Sequence, residues 1–140
     1  MNNSLEKVQA ALADYTTEDG SVFNVTATDN DDICMLTIIR EDIEEFAILA
    51  TASDSQLLFN VALFDKAQII EGQLMALNEM MLELNIAMPL SSFALTGGLY
   101  SIFGAMSVNS EINQIQEEIT VLSENIIDAL EVCQQFLIKA

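Results

Sequence analysis

Residues 29–46 read DNDDICMLTIIREDIEEF, a run of apolar and β-branched residues held between two acidic clusters. Two readings compete for it: a carboxylate-rich metal loop, or one β-strand with a charged turn at each end. A calcium loop opening at Asp29 would have Asp31 in third place, but Ile33, Cys34 and Arg40 would fall fifth, sixth and twelfth. Those places need an oxygen ligand, a turn glycine and a bidentate glutamate, so the calcium reading fails. A looser magnesium cluster fails on reach, because an extended run of about eight residues separates its ends by roughly 25 Å. The stretch is therefore read as a strand, ICMLTII, between two solvated turns.

The same composition recurs on both sides. VFNVTAT (22–28), EFAILATA (45–52) and LLFNVALF (57–64) are β-branched and aromatic runs, set off by the clusters DNDD, REDIEE and SDSQ. Four such runs with short polar separators read as an antiparallel meander. Ahead of them, Leu5, Val8, Leu12 and Tyr15 recur at helical spacing behind polar Asn and Ser, which predicts a short amphipathic helix over 4–15.

After the meander the period changes. Asp65 with Gln68 has the form of a capping box and Phe64 with Ile69 that of a hydrophobic staple, so a helix is expected to start here. Its apolar positions would be Ile70, Leu74, Leu77, Met81 and Leu84, with Gly72 a mild weakness inside it and Asn85 and Pro89 ending it. SFALT (92–96) and LYSIFGAMS (99–107) follow as two strands. Gly97-Gly98 between them supplies the positive φ angles of a tight hairpin turn; a phosphate-binding loop would instead lead into a helix. Last, Asn109 or Ser110 is expected to cap a long helix with a seam at Ile112, Ile115, Ile119, Leu122, Ile126, Ala129, Cys133 and Phe136. Complementary charge pairs flanking that seam are missing, so it reads as a helix packed on a sheet, the seam widened by Ile127, Leu130 and Leu137, rather than as a coiled coil. The order α-β-β-β-β-α-β-β-α implies one α+β domain over residues 1–140, two layers, with about six antiparallel strands and three helices.

The composition narrows the function. The chain has 140 residues with 22 acidic and 4 basic side chains, a net charge of −18, yet 51% of it is hydrophobic. That much apolar matter indicates a folded core coated with charge rather than a disordered acidic chain. Lys7, Arg40, Lys66 and Lys139 are scattered and form no basic stripe, which argues against nucleic acid and anionic membranes as ligands. The first residues lack the form of an export signal and no segment is long and apolar enough for membrane insertion, so a cytoplasmic protein is expected. Cys34 and Cys133 form no CxxC pair and read as small buried hydrophobes. There is no histidine, which removes the usual general base and the Ser-His and Cys-His nucleophile pairs. A carboxylate-based, divalent-metal-dependent enzyme is the alternative reading, but no acidic residue sits inside an apolar run where burial would raise its pKa. No catalytic, cofactor-binding or metal-binding residues are assigned.

The strands depart from an ordinary monomer. LLFNVALF sets Leu57, Phe59, Val61 and Leu63 on one face and Leu58, Ala62 and Phe64 on the other, so both faces carry apolar side chains. Helices covering one face would leave the second to a partner. Met35, Phe59, Val61, Leu63 and Phe103 are the residues expected on a partner-binding or dimer face. A two-fold homodimer is the expected assembly.

The stretch MPLSSFALTGGLYSIFGAMSVNS (88–110), followed by an acidic amphipathic C-terminal helix, resembles the YjfI-like family of small bacterial proteins of unknown function. Pro89-Leu90-Ser91-Ser92-Phe93 and Phe103-Gly104-Ala105-Met106-Ser107 are the parts that carry the resemblance. The element order is also similar to that of type III secretion chaperones, dimeric α+β proteins that bind unfolded segments of a partner, although four strands before the central helix depart from the usual three. YjfI-like proteins tend to be encoded beside PspA-like membrane-stress proteins, so the resemblance implies a chaperone-like or adaptor protein with a PspA-like partner and a link to envelope stress. It implies no catalytic residue.

Overall fold

A computed structural model describes residues 1–139. Its first helix, α1 (Asn3–Ala13), is capped by Asn2, whose Oδ1 accepts from the backbone N–H of Ser4 at 2.6 Å and of Leu5 at 3.3 Å. These bonds satisfy amides that have no partner inside the helix. Leu5, Val8, Ala11 and Leu12 form its buried stripe.

The meander follows as β1 (Phe23–Asp29), β2 (Cys34–Arg40), β3 (Ile48–Ala52) and β4 (Gln56–Asp65). After α2 (Leu74–Ala87), a hairpin of β5 (Ser92–Thr96) and β6 (Leu99–Ser107) leads to α3 (Ile112–Cys133). All neighbouring strands are antiparallel, and the six-stranded sheet runs β1-β2-β3-β4-β6-β5. The hairpin thus joins the meander through β6. Gly97 and Gly98 take φ angles of +57° and +82°, the twist that a two-residue hairpin turn needs.

The acidic stretch of 29–46 is one strand between two turns. Asn30 shapes the first: its Oδ1 accepts from the N–H groups of Asp32 and Ile33, both at 2.9 Å, leaving Asp31 and Asp32 exposed. Along β2, Leu36, Ile38 and Arg40 are buried while Met35, Thr37 and Ile39 are half-buried, the alternation of a strand with one face on the core.

Three local expectations are corrected. The Asp65–Gln68 capping box is present, but it opens only a 3-10 turn (Lys66–Gln68), and α2 begins at Leu74. Between them Ile69 pairs with the C-terminal segment and a turn follows: Ile70 N–H donates to Phe136 O at 2.9 Å, Ile138 N–H to Gln68 O at 2.8 Å, and Gln73 N–H closes the turn on Ile70 O at 3.0 Å. Gly72 therefore lies ahead of the helix, at φ +87°. Second, Glu111 rather than Asn109 or Ser110 precedes α3, its N–H donating to Gln114 Oε1 at 2.8 Å. Ser110 is spent on the preceding turn, its N–H donating to Ser107 O at 3.1 Å. Third, Ile127 does not widen the seam of α3; it is exposed, and buried Glu118, Ser123 and Asn125 flank the apolar positions instead.

Candidate protein-binding surfaces

All three helices lie on one side of the sheet. α1 and α3 pack on each other and on the meander and β6, while α2 covers β5. The core beneath them joins Leu36, Ile38, Phe59, Val61 and Ile102 of the strands to Leu5, Leu12, Leu77, Ile119 and Leu122 of the helices. Two of the residues expected on the partner face, Phe59 and Val61, are fully buried here. They belong to the helix-covered side of β4 and are unavailable to a partner.

Leu63 falls outside the alternation of the strand. The β4–β6 register slips between Ala62 and Phe64, so Leu63 is the extra residue of a bulge. The slip brings Phe64 onto the core side, where its ring stands 5.3 Å from that of Tyr100, and leaves Leu63 half-buried at the core margin. Met35 and Phe103 do point away from the helices. Together with their ladder neighbours Thr28, Thr37, Leu49, Thr51, Leu58, Asn60, Ala62 and Ser92, they make up the open face.

That face carries no charged side chain between Asn24 on β1 and Ala94 on β5. Its surface is a mixture of Thr, Asn and Ser with Met35, Ile39, Leu49, Leu58 and Phe103, of which Leu49 and Leu58 are 38% and 37% exposed. Charge begins at the margins: the exposed carboxylates of 29–32 and 41–45, Asp54, and Asp65 where β4 ends. Depletion of charge from the centre of a patch with polar groups at its rim is the composition of a protein interface.

A second unusual surface is α2. Its sequence LMALNEMMLELNIA holds only two charged residues, Glu79 and Glu83, yet only Leu77 and Met81 are buried.

Two buried polar clusters escaped the sequence reading. Arg40, only 4% exposed, ends β2 on the core side. Its Nε donates to Asp42 at 2.7 Å, and its terminal nitrogens donate to Ser123 and Ser21 at 2.9 Å and to Asp19 at 3.0 Å. The guanidinium thus fastens the 14–22 loop and α3 to the sheet. Hydrogen bonds from Thr17 and Ser21, with Arg40 adding to them, lower the Asp19 carboxyl to about 2. The second cluster is on α3. Glu118 is buried against β6, and desolvation, with the charge of Glu117 as a smaller cause, raises its pKa to about 7. The expectation that no carboxyl lies where burial would raise its pKa is corrected, because Glu118 sits on the inward side of a helix between Ile115 and Leu122. Gly104 in the middle of β6 was the available signal, since a strand glycine marks a close approach.

Asn125 completes the polar side of α3, donating to Pro89 O at 2.9 Å and Ser91 Oγ at 3.0 Å and so holding the α2–β5 connection. Cys133 is fully buried and its thiol is pushed up to about 11, the state of an unreactive packing cysteine. Among the described residues, no three His, Cys, Asp or Glu side chains come together in a group that could hold a metal ion, and no helix is long and apolar enough to cross a membrane.

The two-layer α+β fold is shared with known proteins. Over residues 2–137 the chain matches, and belongs to, a family of uncharacterized proteins conserved in bacteria, DUF2170. No curated protein matches it in sequence. Among solved structures it is similar to YbjN from E. coli, a proposed transcription regulator, with a TM-score of 0.63 and 13% identity over 99% of this chain and 95% of that one. It is also similar to a chain of the HopA1–SchA chaperone–effector complex, with a TM-score of 0.55 and 17% identity over 91% of this chain and 96% of that one. At these identities the likeness is one of fold.

Proposed function

We propose that this protein is a non-enzymatic, cytoplasmic chaperone-like or adaptor protein, a homodimer that holds a segment of a partner protein on its open sheet face. One observation carries the reading: in a chain of net charge −18, the face left open by the helices has no charged side chain between β1 and β5. A solvated face in so acidic a protein would be expected to share its charge, and a face that binds another chain would not. The fold likeness to a chain of a chaperone–effector complex supports the same reading. A PspA-like protein is the partner we favour, on the resemblance to YjfI-like proteins.

The test compares the wild-type protein with the open-face variant Thr37→Glu/Leu58→Glu, both used as bait in native lysate at several salt concentrations. A stoichiometric protein partner is expected with the wild type and is lost with the variant. Recovery of no partner, or equal recovery by both, would overturn the reading. Calorimetric titration with magnesium, manganese and calcium is expected to give no tight saturable site, whereas one would favour carboxylate-based metal chemistry.

A further inference from the structure

Among the described residues, Leu90 is the one non-glycine residue at positive φ, +62°. Across it Ser91 N–H donates to Pro89 O at 2.8 Å, closing a three-residue turn of the rare, strained hand between α2 and β5. The Leu90 side chain is exposed, so its burial does not hold the turn. α3 does. Asn125 donates to Pro89 O and to Ser91 Oγ, and seven residues earlier on the same face of the helix stands Glu118. The position that a Cβ would take on Gly104 lies 2.6 Å from Glu118 Oε1 and 3.4 Å from Leu90 O. The carboxyl and the carbonyl of the strained residue therefore crowd one point that the glycine leaves open. Two such oxygens repel when both are acceptors and bond when one carries a proton.

We propose that Glu118 is a pH-sensitive latch on the α2–β5 connection: protonated, its carboxyl donates to Leu90 O and holds the strained turn shut, and ionised, it drives that carbonyl away and lets Leu90 relax. The element so released is α2, which buries only Leu77 and Met81. The hollow of about 220 Å³ between α2 and α3 has Met88, Pro89 and Asn125 in its walls, so movement of the connection opens it.

The charge that acts on Glu118 is that of Glu117 on its own helix, and it adds to desolvation in raising the pKa to about 7. β6 and residues 88–91 bring no charged side chain. Glu6, Lys7 and Asp14 of α1, Asp65 at the end of β4, and Glu79 and Glu83 of α2 add nothing to the shift. Lys7 is engaged elsewhere, donating to Val108 O at 3.0 Å and Ser110 O at 2.7 Å. The latched form thus binds the proton more tightly than a form in which Glu118 has its ordinary value of 4.5, so latching is favoured as pH falls and is lost as pH rises through 7.

Amide hydrogen exchange of the full chain, corrected for the intrinsic effect of pH and read at Ser91, tests this. Ser91 is expected to lose protection about tenfold between about pH 6 and pH 8, the shift that linkage gives for these two pKa values. The opening is expected to be local: dilute urea speeds exchange at Leu122, in the core of α3, and leaves Ser91 unchanged. Glu118→Gln, whose amide donates as the acid does but does not ionise, is expected to keep Ser91 protected at both pH values. Leu90→Gly, which relieves the strain and leaves Glu118 in place, is expected to be better protected than the wild type at about pH 8. Ser91 exchange that is the same at both pH values, that responds equally to pH in Glu118→Gln, or that follows Leu122 in urea would overturn the latch, as would weaker protection in Leu90→Gly.

Discussion

The carboxyl group of Glu118 lies directly against Gly104: a Cβ at that glycine would stand 2.6 Å from Glu118 Oε1 and 3.3 Å from its Cδ. Gly104→Ala is therefore expected to destabilise the protein by about 1 kcal/mol, since the end of the buried Glu118 side chain must shift to admit one methyl group. In a Glu118→Ala background the same substitution is expected to be neutral or stabilising, because the obstructing atoms are gone and a strand glycine has been replaced. A double-mutant cycle in urea measures the coupling, and additive effects would refute the contact.

Glu118 also predicts a pH dependence. Its folded pKa of about 7 lies above the ordinary value of 4.5, so between those values the native state binds the proton more readily than the unfolded chain does. Stability is expected to rise as pH falls from about 7.5 toward 5 and to be lost again as pH rises through 7. Asp19, held at about 2, acts in the opposite sense, but only as pH falls below its ordinary 3.8. Melting temperatures of the wild type and Glu118→Gln across this range check the point. The variant is expected to show a flatter profile, keeping only the part due to crowded surface carboxylates, which added salt removes.

Arg40→Lys is expected to cost about 1.5–3 kcal/mol, the scale of hydrogen bonds to a charged group. A lysine ammonium cannot reproduce the planar fork that reaches Asp42, Ser123, Ser21 and Asp19 at once. Urea denaturation measures it. Chymotryptic cleavage near Tyr15 is expected to quicken in the variant as the 14–22 loop loosens.

Gly72→Ala distinguishes the two placements of that glycine. Inside a helix, alanine would stabilise by about 1 kcal/mol. At φ +87° with no heavy atom within 4 Å of an added Cβ, the cost is backbone strain alone, and a loss of about 1 kcal/mol is expected in chemical denaturation.

Much of the architecture was legible because the signals are local. β5, β6 and the Gly97-Gly98 turn fall at the expected residues, since a glycine pair between two largely apolar runs leaves the backbone few choices. The start of α2 was not legible. The Asp65–Gln68 box is a genuine local signal, but backbone pairing with residues 136–138 draws Ile69 and Ile70 out of a helix and a turn follows, and a contact so distant in sequence leaves no mark on the periodicity near residue 70. Of the residues expected on the partner face, Met35 and Phe103 lie on the open side of the sheet and Phe59 and Val61 on the helix-covered side. Parity alone grouped Leu63 with Phe59, whereas the bulge takes Leu63 out of the ladder and leaves it half-buried against the core.

The sequence by itself determined the kinds and order of the elements, the acidity of the turns and the presence of apolar side chains on both sides of the strands. These follow from the two-residue period of a strand, the 3.6-residue period of a helix and the chemistry of turns, all of which act within a few residues. Tertiary structure alone decided which strand face the helices cover, which carboxyl is dehydrated against Gly104, and that α2 is left with its apolar surface outward. Alternation divides a strand into two faces but does not rank them. The ranking comes from the bulge, the strand order and the helices packed on one side, where pairing between distant residues outweighs local preference.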